Sequence, residues 1–267
     1  LVNLRENSYI CKNITYSNVI FMIVQFSVGN YLSFKELSTL SLVSTALREP
    51  TIVDDDSMIE VGGAVPAVLH GAAIYGANAS GKSNFIKAFS TFKWLVINSM
   101  KELQAGETLD VESFMLNTTT AHEPSVFEIA FCNADHIFRY GFEIDSKKVY
   151  KEWLYRRNNK KRAKEVELLF REGETYNVHP SCTIAKNLIA NKMVRNNALL
   201  VSVAAQFNDE TAVSIVNWLS DTSVITNHDD EMMWKKAVIK LDDSKKRKRI
   251  VEFSKYADLG IEDIYKV

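Results

Sequence analysis

The sequence contains few of the residues that mark secreted or metal-binding proteins. Its three cysteines, Cys11, Cys132 and Cys182, lie far apart, and no pair has CxxC or metal-ligand spacing. The five histidines are also scattered, and no HExxH motif is present. Reduced thiols in a cytoplasmic protein are the simpler interpretation, and side chains alone predict no metal site.

Long apolar runs are also absent. The longest near the start is Val19 to Val24, which is far shorter than the roughly 20 residues that a membrane span needs. The preceding segment, with Arg5, Glu6 and Lys12, is too polar for a secretory signal. We therefore expect a cytoplasmic protein with no membrane partner. The net charge of −1 gives no global attraction to nucleic acid, so any such binding would need local patches.

The composition is that of a folded chain. Apolar residues make up 46% and charged residues 24% of 267 residues, which is enough for a sizeable core. The chain begins with Leu1, and Met22 opens the first convincing strand. We predict that residues 1–21 are a dispensable extension outside the core.

The first half of the chain alternates between strand and helix patterns. β-branched and aromatic residues predict a strand from Met22 to Val28, a second strand or two short ones from Leu32 to Val43, and a buried strand from Ala67 to Tyr75. Apolar residues at three- and four-residue spacing predict a helix from Asn84 to about Glu102.

The second half predicts hairpins followed by helices. Alternating patterns separated by turn residues indicate antiparallel strands at Ser125–Phe131, Ile137–Ile144, Val149–Tyr155 and Val166–Arg171. Helical patterns follow in part of Asn187–Ser202 and at Glu210–Leu219, Glu231–Ile239 and Ser244–Ala257, and a new strand begins at Ile261. We predict an α/β fold in which a parallel-containing core (22–105) carries the loop described next, beside an antiparallel subdomain (106–180) and a helical segment (181–260).

One sequence motif predicts a ligand-binding site. The octapeptide from Gly76 to Ser83, GANASGKS, matches G-x-x-x-x-G-K-[ST] at every fixed position, and a predicted strand precedes it and a helix follows. Glycines let the backbone curl so that N–H groups point at phosphate oxygens, and the helix N-terminus adds partial positive charge. This context predicts a nucleoside triphosphate site, with ATP and Mg²⁺ as ligands.

Each residue of the loop then has a predicted role. Lys82 is the candidate catalytic residue, because its ammonium should reach the β- and γ-phosphates. The Ser83 hydroxyl is the candidate Mg²⁺ ligand. The predicted nucleotide-binding residues are Gly76, Ala77, Asn78, Ala79, Ser80, Gly81, Lys82, Ser83 and Asn84.

The sequence resembles the RecF/SMC-type ABC ATPases, and within them the AAA-family, ABC-like branch of the OLD and abortive-infection group. The resemblance is carried by GANASGKSN, by FSVGNYLSFKELSTLSL from Phe26, by the FEIAF to EWLY stretches between Phe127 and Tyr155, and by NALLVSVAAQFND from Asn197. It implies a head domain that binds ATP and dimerises around it. It also implies hydrolysis in the intact protein, and action on a partner nuclease, toxin or nucleic acid, as in phage defence.

The same resemblance implies hydrolysis residues that the sequence does not supply: an apolar strand ending in Asp-Glu, an LSGG-like signature and a switch histidine. The acidic runs at 54–56 and 229–231 do not follow a buried strand, and Gly62-Gly63 precedes the loop. Gln206 is a candidate magnesium-sensing residue or simply a glutamine at a helix end. We expect the chain to be the N-terminal part of a head, one that binds ATP but hydrolyses it at a rate near background.

Two basic clusters stand out. One lies at a predicted hairpin tip (Arg156, Arg157, Lys160, Lys161, Arg162, Lys164), and the other at a helix start (Lys245, Lys246, Arg247, Lys248, Arg249). Either could track a phosphate backbone. Because charge runs are usually solvated and the net charge is near zero, a solvated tip and helix face are the simpler interpretation.

Two other functions stay open at this point. The chain could be a nucleotide-gated binding or scaffold module without turnover, or a P-loop kinase with an arginine-bearing lid. A four-strand antiparallel meander between loop and helices is uncommon in small-molecule kinases, which argues against the kinase. No guanine-specific NKxD motif is visible, so ATP rather than GTP comes from the resemblance.

Overall fold

A computed structural model of the chain describes residues 21–44, 58–102, 104, 106–225, 235, 238–256 and 260–265. The chain divides into two units, 1–222 and 223–267. The first contains two sheets and four α-helices within its described part, and the second contains the helix α5 (Ser244–Tyr256), preceded by described helical residues at 238–241. The structure does not describe residues 1–20 of the predicted extension, the acidic run at 54–56 or most of the predicted helix Glu231–Ile239.

The main sheet has seven strands, all antiparallel, in the order β2-β1-β5-β6-β7-β8-β9. The strands are β1 (Met22–Gly29), β2 (Ser38–Ser41), β5 (Ser125–Cys132), β6 (His136–Ile144), β7 (Val149–Asn158), β8 (Val166–Glu172) and β9 (Thr175–Val178). The predicted meander is confirmed, and β9 extends it. The registers place Phe127 opposite Val28 and Phe142 opposite Phe127, so alternate residues form one apolar face.

Four helices accompany that sheet: α1 (Lys82–Asn98), α2 (Thr183–Ala190), α3 (Leu200–Gln206) and α4 (Glu210–Asp221). The core between α1 and the sheet is aromatic, since Phe92 stacks on Phe142 at 5.3 Å and Phe26 meets Phe85 edge-on at 5.5 Å. The predicted helix after the loop is confirmed. Phe21 is also buried here, 5.1 Å from Phe131 between ring centroids, although the predicted extension included it.

A short hairpin covers part of the opposite face of the sheet. Its strands are β3 (Met58–Glu60) and β4 (Ala67–Leu69), and Val65 and Val68 pack there with Cys132 and Ile137. The turn is held by Asn159, which accepts hydrogen bonds from the backbone of Ala64 (3.0 Å) and Val65 (3.3 Å) and donates one to the Gly62 carbonyl (2.8 Å).

The structure corrects several expectations about strands. β4 ends at Leu69, and residues 71–80 are exposed and irregular, so the predicted strand to Tyr75 is wrong beyond Leu69. Every pair of named strands is antiparallel, so parallel pairing beside the loop is wrong for the described part of the chain. A strand needs a backbone partner, and the described segments supply none for residues 70–75. Of Leu32–Val43, β2 contains only four residues, and residues 260–265 form no strand.

The main sheet spans two of the three predicted segments. Strands β1 and β2, from the predicted segment 22–105, share one sheet with the hairpins of the predicted segment 106–180. The structure is thus mixed α/β with a mostly antiparallel sheet and packed helices. The division into three segments stays a prediction.

Candidate phosphate-binding loop

The candidate loop leaves the sheet edge and enters α1. The Leu69 amide donates to the Leu42 carbonyl at 2.8 Å, which is the last sheet contact before the loop. Residues 71–80 are then exposed, and Tyr75, just before Gly76, is 90% exposed. The loop therefore faces solvent while the helix behind it is anchored in the aromatic core, an arrangement that leaves room for a ligand.

Backbone curvature in the loop depends on its small residues. The Ser80 amide donates to the Ala77 carbonyl at 3.3 Å, which closes a turn. A Cβ on Gly76 would lie 2.7 Å from Ser80 Oγ, so Gly76 permits that turn. Ala79 (φ 61°) and Gly81 (φ 92°) both adopt left-handed conformations, and only glycine does so without strain.

The Lys82 side chain folds back over the loop. Its Nζ donates to the Gly76 carbonyl at 2.7 Å and to the Ala77 carbonyl at 2.6 Å. A primary ammonium has three donors, so these two bonds fix its position at the curl of the backbone. The arrangement places a full positive charge in the solvent-facing loop.

The N-terminus of α1 adds further donors. Gly81 is the N-cap, no side chain caps the helix, and no acidic residue lies in its first turn. The first N–H groups of a helix have no intrahelical partner and carry partial positive charge. Ser83 is exposed in this first turn. Amide donors, an ammonium and a hydroxyl together form a donor set that fits a phosphate chain with its Mg²⁺ ion.

A residue that the sequence did not indicate completes the loop's support. Ser33, in the turn between β1 and β2, accepts a hydrogen bond from Asn84 Nδ2 at 2.9 Å. Its Oγ would lie 2.7 Å from a Cβ on Gly81, so it contacts the start of the helix closely. The contact spans 51 residues of sequence, and no local pattern could have revealed it.

The structure thus brings together the predicted residues from Gly76 to Asn84. Other candidates are not placed beside them. Gln206 is the exposed last residue of α3, and Gly62-Gly63 forms the turn of the β3–β4 hairpin. The acidic runs 54–56 and 229–231 lie outside the described residues. The role of Gln206 stays a prediction.

A comparison with known protein families finds a match over the segment that contains this loop. Residues 72–178 match a family described as "AAA domain, putative AbiEii toxin, Type IV TA system". This segment is therefore similar to an AAA domain of the abortive-infection type. The match begins just before the loop and ends at the last residue of β9, and it supports the part of the sequence resemblance that concerns AAA-family ATPases of the abortive-infection group. No curated protein matches the chain.

The matched family has a general activity. An AAA domain implies nucleotide binding and hydrolysis, usually with Mg²⁺. Within the described residues, no helix combines the length and the apolar character that crossing a membrane requires.

A buried polar network lies away from the loop, with its three side chains in the same matched segment. Glu152, fully buried in β7, accepts from the amides of Leu200 (2.6 Å) and Val201 (3.0 Å) and from the Tyr140 hydroxyl (3.0 Å). It therefore caps α3 from the sheet, replacing the side-chain cap that the helix lacks. Burial raises the pKa of Glu152 above its ordinary value, while the charge of Arg171 and the three donors oppose that rise.

Arg171 serves the same part of the fold. It is buried, and it donates to the carbonyls of Ala198 (2.8 Å) and Gly173 (3.1 Å). Burial and the neighbouring Glu152 carboxylate raise the pKa of Tyr140 well above its ordinary value, so its hydroxyl stays protonated and donates. The contacts of all three side chains are internal, which indicates a structural role.

Proposed function

We propose that this chain binds ATP with Mg²⁺ through the loop from Gly76 to Ser83, and that binding is coupled to ATP hydrolysis in the intact protein. The observation that carries the proposal is the Lys82 ammonium, held on the Gly76 and Ala77 carbonyls beside an uncapped helix N-terminus. Such a cluster of donors with no acidic residue in the helix's first turn favours a polyanionic ligand.

Each residue has a role in this proposal. The loop amides and the N-terminal amides of α1 hold the phosphate oxygens. Lys82 leaves its two carbonyl partners and neutralises phosphate charge, and the Ser83 hydroxyl ligates Mg²⁺. Asn84, tied to Ser33, fixes the orientation of the first turn. Magnesium supplies charge neutralisation for the phosphates when bound.

The wider role follows from the family resemblance. We propose a nucleotide-driven switch in which two heads dimerise and act on a partner effector or nucleic acid, in a phage-defence setting. The AAA match supports the nucleotide part of this statement. An ABC-like RecF/SMC head architecture and a cytoplasmic location belong to the same proposal.

Calorimetric titration with ATP and MgCl₂ tests the binding site. Lys82→Ala should abolish measurable binding without lowering the melting temperature, because among the described residues the Lys82 side chain bonds loop carbonyls alone. Ser83→Ala should weaken only the Mg²⁺-dependent part of the affinity. Unchanged affinity in Lys82→Ala, or an equal loss in Ser83→Ala with and without Mg²⁺, would contradict these assignments.

A nucleotide-gated binding module without turnover is the second candidate. The observation that favours it is the chemistry around the loop: among the described residues, the side chains hydrogen-bonded there belong to Ser33, Lys82 and Asn84, and none is a carboxylate base. Hydrolysis needs a positioned water in addition to bound phosphates. Phosphate release by the intact protein separates the two candidates.

A further inference from the structure

A strongly basic surface lies at the loop between β7 and β8. We define the basic tip as residues 156–164, of which six are lysine or arginine and none is acidic. Four of these cations are exposed: Lys160, Lys161, Arg162 and Lys164. Arg156 and Arg157, at the end of β7, are half-buried.

Within the described residues, the cations of the basic tip have no acidic partner. Across the described parts of the chain, none of the six forms an ion pair. Glu165, the acidic residue that follows the tip, is bonded to Arg139 at 2.8 Å and 3.2 Å. Asp135, in the facing turn, meets the tip through its backbone carbonyl, which accepts from the Asn159 amide at 2.6 Å. The tip therefore presents positive charge to solvent.

The tip is also held in a fixed shape. Asn159, within it, is buried and hydrogen-bonds the turn of the β3–β4 hairpin and the Ala134 carbonyl. The Ala163 amide donates to the Lys160 carbonyl at 3.1 Å, and Arg162 adopts a left-handed φ of 62°. A preformed loop loses less entropy when it binds a ligand.

The second basic cluster differs in this respect. On α5 and the residues flanking it, Lys246 pairs with Asp243 at 3.4 Å, and Arg247 pairs with Asp263 at 2.8 Å. Lys248 lies 4.0 Å from Glu252. Three of the five cations of the second cluster thus have an acidic neighbour, whereas among the described residues no cation of the basic tip has one.

We propose that the basic tip binds the sugar-phosphate backbone of a nucleic acid. Closely spaced, unpaired lysine and arginine side chains neutralise successive phosphates and release counterions. An anionic membrane is a poorer fit, because binding at a bilayer surface also uses inserted apolar side chains. The tip's one apolar residue, Ala163, is half-buried. Because phosphate contacts carry no sequence information, we expect this binding to be independent of base sequence.

Fluorescence anisotropy with labelled duplex DNA and labelled single-stranded RNA tests this proposal in the absence of nucleotide. We expect dissociation constants of about 10⁻⁴ to 10⁻⁶ M near physiological salt, weakening as salt rises. The triple variant Lys160→Gln, Lys161→Gln, Arg162→Asn should bind at least about tenfold more weakly. On duplex DNA its salt dependence should also be shallower by up to about 2.7 in log–log slope, at roughly 0.9 for each phosphate that the variant no longer neutralises. Asn at position 162 tolerates the left-handed φ.

A matched variant removes the same charge elsewhere. Lys245→Gln, Lys246→Gln, Lys248→Gln changes the net charge by the same amount at the second cluster, and it should bind like the parent chain. Melting temperatures confirm that both variants fold. The proposal is supported if the tip variant alone loses binding to either nucleic acid. The nucleic acid that binds more tightly then identifies the ligand.

Three results would overturn it: no binding by the parent chain, equal losses in both variants, or tip-dependent binding to phosphatidylserine vesicles without binding to nucleic acid. Because no nucleotide is present, failure here leaves the ATP site untouched, and failure of ATP binding leaves this result untouched.

Discussion

At the scale of single residues, Glu152 joins strand β7 to helix α3 by accepting three buried hydrogen bonds. Glu152→Ala would leave two α3 amides and the Tyr140 hydroxyl without this acceptor. A buried donor left unpaired costs about 1–3 kcal/mol, so we expect a loss of roughly 3–5 kcal/mol in the free energy of unfolding, measured in urea. The exposed Glu172→Ala is the control, with a change below about 0.5 kcal/mol. Similar losses in both variants would contradict the assignment.

The Glu152 carboxyl group should also make the stability of the fold depend on pH. Its folded pKa is raised above the ordinary value of 4.5, mainly by burial. The native chain therefore binds more protons than the unfolded chain between the two pKa values, and stability falls as pH rises through the folded value. Relative to Glu152→Gln, the parent chain should be most favoured at about pH 4 and should lose that advantage as pH rises. An advantage that grows with pH would show that Arg171 and the donors outweigh burial.

At the scale of secondary-structure elements, the β3–β4 hairpin depends on one glycine. Gly62 and Gly63 share a left-handed φ (74° and 75°), but only Gly63 is crowded: an added Cβ there would overlap the Asn159 carbonyl oxygen, whereas at Gly62 nothing lies within 4 Å. Gly62→Ala should cost about 1–2 kcal/mol, the cost of a left-handed alanine. Gly63→Ala should cost clearly more, since backbone must move. Urea denaturation of both variants measures the difference. Equal losses would show that the crowding at Gly63 does not destabilise the hairpin, which would contradict the prediction.

The sequence predicted the elements whose signals are local. The α1 helix and the hairpins from β5 to β8 were visible because apolar residues repeat within a few positions. The pairing of β1 with β5 was not visible in the sequence, because about a hundred residues separate the two strands and an alternating pattern does not indicate which strand pairs with it. Residues 70–75 have strand-like composition but no strand partner in the described chain, so composition alone misled the prediction.

At the candidate site, the same division between local and distant signals holds. The loop motif placed Lys82 and Ser83 at the start of a helix, and the structure has them there. It could not reveal Ser33, which reaches Asn84 from another element. Nor could it show that Lys82 turns back onto the loop carbonyls, because that choice depends on three-dimensional geometry.

At the scale of the whole molecule, we expect the 267-residue chain to bind ATP but to hydrolyse it at a rate near background. The described contacts of the loop include no carboxylate that could position water. A steady-state phosphate-release assay measures this rate. Turnover of about 1 s⁻¹, an ordinary enzymatic rate, would show that a catalytic carboxylate lies within these residues. The acidic runs at 54–56 and 229–231 would then be the first positions to test.

The exposed segment that leads into the loop also makes the chain vulnerable to proteolysis. Tyr75 is 90% exposed in an irregular stretch, so chymotrypsin should cut beside it in the ligand-free chain. A nucleotide on the adjoining loop would shield the bond, slowing cleavage by the ratio of total to free protein. Tyr256, 92% exposed at the end of α5, serves as an internal reference whose cleavage rate ATP should leave unchanged. The loop's occupancy can thus be read from the lengths of peptide fragments.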